Sequence, residues 1–93
     1  SDSLVRDPVT GKWLCPDRLT VGFVDGTPPT RIEEIVAADG ATIRGSNLSL
    51  GSFRLQILGD GTAEQVWATI AAFKASPEVK YAEPFVIETR INY

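Results

Sequence analysis

The sequence predicts an α+β fold, with its elements in the order βαββαβ. Three observations predict it. Apolar and polar residues alternate with period two at 18–24 and 52–58, which is strand spacing, and 41–48 is a further strand candidate. Two threonine-led stretches, near Thr30 and Thr62, carry apolar residues at helical spacing. Clusters of glycine and proline separate these segments.

The elements follow in order. In residues 1–17, Leu4-Val5-Arg6 and Lys12-Trp13-Leu14 flank Asp7-Pro8-Val9-Thr10-Gly11, an arrangement suited to an N-terminal hairpin. Leu19, Val21 and Phe23 alternate with Thr20, Gly22 and Val24, so residues 18–24 form the first core strand. Asp25-Gly26 and Pro28-Pro29 end it. Thr30-Arg31-Ile32-Glu33 fits a capping box, in which the threonine hydroxyl accepts from the Glu33 amide and Glu33 reaches back to Thr30. Ile32, Ile35 and Val36 then share one face of a helix over about 31–39, and Gly40 supplies a left-handed residue at its end.

Residues 41–48 and 52–58 form a hairpin around Ser49-Leu50-Gly51. Phe53, Leu55 and Ile57 alternate with Arg54 and Gln56, which gives one packed face and one wet face. Gly59-Asp60-Gly61 is a turn, and Thr62-Ala63-Glu64-Gln65 is a second capping box. Ala63, Val66, Ile70 and Phe73 run down one side of the second helix, with Trp67 at the edge of the core. Ser76-Pro77 stops that helix, because the residue before proline disfavours helical geometry. Residues 79–82 form the fourth core strand, and a β-prone tail follows Pro84. With right-handed crossovers, two such split βαβ units make a ferredoxin-like sandwich: a four-stranded antiparallel sheet with both helices on one face.

Composition excludes several functions. Ninety-three residues make one domain at most, and 43% hydrophobic with 23% charged residues is ordinary for a globular chain. The net charge is −3 and no basic stripe is present, so nucleic acid is not an expected partner. RNA-binding versions of this fold need exposed aromatics on the central strands in basic surroundings; Phe23 and Phe53 are present, but the charge is wrong and the RNP pattern is absent. No apolar run reaches the ~18 residues of a membrane span. The chain has no histidine, which removes Ser-His-Asp and Cys-His catalysis and most zinc sites. Asp39, Asp60 and Glu64 read as caps or solvated acids, and neither a metal site nor a cofactor is implied. Cys15, the single cysteine, reads as a small apolar residue.

Three segments resemble the propeptide domain of subtilisin-like serine proteases, the inhibitor I9 type. Val36-Ala37-Ala38-Asp39-Gly40-Ala41-Thr42-Ile43 resembles that family's helix-Gly-strand junction. Leu50-Gly51-Ser52-Phe53-Arg54-Leu55-Gln56-Ile57 resembles its third element. Ser76-Pro77-Glu78-Val79-Lys80-Tyr81-Ala82-Glu83-Pro84 is similar to its S-P-x-V-x-Y-x-E-P ending. The resemblance divides the chain into an extension at 1–17, a core at 18–84 and a tail at 85–93.

What the resemblance implies is a non-catalytic domain, secreted with its partner, that inhibits a subtilisin-like protease and assists its folding. Its open sheet face sits on the protease, and its tail enters the cleft like a substrate strand. Glu83 matches the carboxylate that caps a helix on the protease. Phe85 stands where some members carry a second capping acid. Arg90, Ile91, Asn92 and Tyr93 would fill the cleft, although Arg90 departs from the hydrophobe often found four residues before the cut. The alternative is a structural or interaction module of a larger secreted protein. Pairing of the tail into the domain's own sheet would favour that alternative.

Overall fold

A computed structural model describes residues 4–87. Seven elements follow one another: β1 (Val5–Arg6), β2 (Trp13–Phe23), α1 (Pro29–Ala38), β3 (Ala41–Asn47), β4 (Ser52–Ile57), α2 (Ala63–Lys74) and β5 (Val79–Ile87). The core strands lie in the order β5-β2-β4-β3, every neighbouring pair antiparallel. This is the arrangement expected for two split βαβ units. β1 adds the predicted N-terminal hairpin as a fifth strand, with Val5 opposite Leu14 and Arg6 opposite Trp13.

Both helices cover the same face of the sheet. Leu19, Val21 and Phe23 of β2, Leu55 and Ile57 of β4 and Ala82 of β5 form one cluster with Ile32, Ile35 and Val36 of α1. Ala63, Val66, Ile70 and Phe73 of α2 complete it. Each large side chain buried in this way contributes about 1.5–3 kcal/mol. Phe23 meets Phe53 edge to face at 5.7 Å between centroids, the geometry that their ring quadrupoles favour.

The first core strand begins at Trp13, not at residue 18. Pro16 lies within this strand, and the ladder accommodates it. Cys15 lies opposite Phe85 and Leu19 opposite Pro84, so residues 16–18 form an irregularity facing a single step of β5. Pro16 and Pro84 both lack the amide that a regular ladder needs, and both sit at this irregularity. Beyond it, β5 continues past the expected end at residue 82 to Ile87. Phe85, Val86 and Ile87 pair with Cys15, Leu14 and Trp13. The start of the tail is thus a strand of the domain's own sheet.

The helix caps also depart from expectation. At α1 no side chain caps the helix; Pro28 occupies the cap position with extended backbone, and Thr30 lies inside the helix. Pro29 at the first helical position loses nothing, since that amide would have no helical partner anyway. The Pro28 carbonyl accepts from the Arg31 and Ile32 amides. At α2 half of the predicted box forms: the Gln65 amide donates to Thr62 Oγ1 at 3.1 Å. The Thr62 amide donates instead to Asp60 Oδ1, and the Gln65 side chain turns to Thr69. Gly40 has the expected positive φ, 75°.

Candidate functional site

Strand alternation sends every second residue away from the helices. On β2 these are Arg18, Thr20 and Gly22. Register then builds the open face around them: Arg18 lies opposite Gln56, and Thr20 lies between Arg54 on β4 and Glu83 on β5. Gly22 lies between Ser52 and Tyr81. The Tyr81 ring rests directly on Gly22, where a Cβ would overlap it.

A bulge brings a further residue to this face. Ile43 pairs with Leu55 and Gly45 with Arg54, so Arg44 is the inserted residue. The Arg54 guanidinium lies over Gly45, a position that a side chain would block. Arg44 Nε donates to Gln56 Oε1 at 2.6 Å. On the far side, the Arg18 guanidinium sits 5.8 Å from the centre of the Phe85 ring, within cation–π range. Arg18, Arg44, Arg54, Gln56, Thr20 and Phe85, with Asp17, line a concavity of about 500 Å³.

The structure brings Glu83 and Phe85 to this same face. Glu83 is exposed on β5 opposite Thr20. Phe85 is 40% exposed and stacks under Arg18. Arg90, Ile91, Asn92 and Tyr93 lie outside the described residues. Sequence reasoning did not single out Arg18, Arg44 or Arg54. Their only signal was alternation with core residues, which marks a face without saying what else shares it. Among the described residues, no group of three or more His, Cys, Asp or Glu could hold a metal ion. No described helix is long and apolar enough to cross a membrane. What this face offers chemically is a broad surface of guanidiniums, the carboxylates of Asp17 and Glu83 and two aromatic rings, suited to docking.

A second polar site ties the hairpin to the core. Asp7 is 1% exposed. Its Oδ1 accepts from the Val9 amide at 3.0 Å, and its Oδ2 accepts from Thr10 Oγ1 at 3.0 Å and from Trp67 Nε1 at 3.2 Å. These donors, the Val9 amide foremost, hold its carboxyl below the usual range against the opposing effect of desolvation. Trp67, at the core edge as expected, therefore connects α2 to the β1–β2 turn.

Comparison with known families relates this fold to one of them. The family model described as fervidolysin N-terminal prodomain matches residues 5–84. The chain belongs to this family. It is the prodomain of a fervidolysin-like subtilisin protease, and membership implies association with a subtilisin-like protease domain. The matched span of the prodomain takes in the β1–β2 hairpin, with Asp7, and the Glu83-Pro84 ending. Phe85 and the rest of the tail fall beyond it. No curated protein matches the prodomain.

Proposed function

We propose that this prodomain binds its protease domain through the open sheet face, occludes the cleft and templates the folding of the catalytic domain. The observation that carries the reading is the uncovered face on which Glu83, Tyr81 and Phe85 lie beside the arginines. Glu83 is exposed and unencumbered by the helices, so its carboxylate can meet the free amides and positive end of a partner helix. Arg90, Ile91, Asn92 and Tyr93 are the segment assigned to the cleft, with Tyr93 in the primary pocket. A prefolded domain presenting that segment lowers the ordering cost of binding. The same surface gives the protease a template for long-range contacts that form slowly. A secreted location and the absence of catalysis by this chain are parts of the same reading.

One observation favours the alternative of a structural or interaction module. Phe85, Val86 and Ile87 are paired within the domain's own sheet and are not available to lie in a cleft. The inhibitory segment must then begin beyond Ile87. The deciding experiment is inhibition of the prodomain's own catalytic domain by the full chain, by a chain ending at Ile87 and by Glu83→Gln. Tight inhibition that is lost on truncation and weakened by Glu83→Gln supports the inhibitor. Equal behaviour of the three, with no inhibition, supports the module.

A further inference from the structure

The open face is positively charged on a chain that is negative overall. The net charge is −3, yet Arg18, Arg44 and Arg54 converge on one concavity. Asp17 also lines it and Glu83 lies on the same face, one strand away from Arg54 across Thr20. No ion pair between described residues holds any of the three arginines; the recorded pairs link Arg31 to Glu34 and Glu78. What holds Arg18 and Arg44 is neutral: the Phe85 ring and the Gln56 amide oxygen. Arg54 is accommodated because Gly45 has no side chain. These contacts orient the guanidiniums and leave their charge in place. Like charges gathered in this way oppose one another until a surface of opposite sign meets them.

We propose that the Arg18, Arg44 and Arg54 cluster receives an acidic patch of Asp and Glu side chains on the surface of the catalytic domain. The proposal rests on the reading of the chain as a protease-bound prodomain and names the chemistry of the surface that it meets. The fork geometry of guanidinium suits carboxylates in pairs. The face is then bipolar. Glu83 engages a positive helix end, the arginines engage carboxylates, and the two signs together set the orientation of docking.

The test is the association rate of the full chain with its catalytic domain, the protease nucleophile replaced so that nothing is cut. The rate is followed from about 0.01 to 1 M sodium chloride, over which the screening length falls from about 30 to 3 Å. The wild-type rate should fall about tenfold or more over this range, as for steered encounters. The triple variant Arg18→Gln, Arg44→Gln, Arg54→Gln should start at the high-salt rate and lose most of the dependence. Lysine at the three positions should keep it, which separates charge from shape. Circular dichroism of each variant confirms that it is folded. If the glutamine variant keeps the wild-type rate and salt dependence, the arginine proposal is overturned while protease binding stands. If the wild-type chain does not associate at any salt concentration, the protease reading itself fails, and this proposal with it.

Discussion

Among the described acids Asp7 has the least ordinary surroundings: almost no exposure, and three donors on one carboxylate. Its depressed pKa has a consequence for stability. The ionised form is favoured in the folded state, so the stabilisation is fully present above the unfolded value of about 3.9 and is lost as pH falls through the lower folded value. Glu78, lowered first by its hydrogen bond from Arg31 at 2.9 Å, acts in the same direction. The thermal midpoint is therefore expected to drop as the solution is acidified below about pH 4. In Asp7→Asn the midpoint should be lower at neutral pH and its acid slope shallower. Thermal melts of both chains between neutral and strongly acid pH check this. Identical slopes would show that the carboxylate is not in this environment. Sequence reading placed Asp7 in a turn; its burial depends on Trp67, sixty positions away.

At the scale of elements, the two helix starts look alike in sequence and differ in structure. Thr62 receives an amide hydrogen bond, so Thr62→Ala should cost about 1 kcal/mol of stability. Thr30 caps nothing, and Thr30→Ala should lie within about 0.5 kcal/mol of wild type. Urea unfolding of the two variants reads the difference, and equal losses would contradict it. The neighbouring prolines are the reason. They preset the entry to α1 without a side-chain oxygen.

The end of β5 has its own consequence. A chain stopping at Pro84 loses the β5 partners of Trp13, Leu14 and Cys15, and with Val86 one of the two neighbours of Leu14, which is 1% exposed. That truncation should lower the melting temperature clearly, whereas one stopping at Ile87 keeps all of β5 and should melt higher than the Pro84 chain. If the Pro84 chain melts no lower, the pairing of 85–87 is unimportant. Loss of inhibition on cutting at Pro84 would mix instability with loss of the tail, so Ile87 is the informative end point.

Over the whole molecule, one core joins both helices to four strands, and the hairpin is bonded to α2. A chain of 93 residues buries roughly two thirds of its unfolded surface, enough to fold alone with little reserve. The prodomain is accordingly expected to unfold in a single cooperative transition without its protease. Far-ultraviolet circular dichroism during heating tests it, and a coil spectrum at low temperature would refute it. The charge distribution is also a property at this scale. The acidic balance of the whole chain conceals a basic patch, because Arg18, Arg44 and Arg54 are separated in sequence and meet only across β2, β3 and β4.

The sequence by itself determined the order of the core elements, the faces of both helices, the hairpin turns and the motif that ends in Glu83-Pro84. These follow from local periodicity, from turn residues and from the residues at element ends, which act within a few positions of one another. Only the tertiary structure decided how far β2 and β5 run, where Asp7 finds its donors and which arginines share a surface. Pairing register, tolerance of Pro16 and Pro84 at one irregularity and the bulge at Arg44 are settled between strands distant in sequence. Period-two alternation specifies which side a residue faces; only the pairing of strands specifies its neighbours on that side.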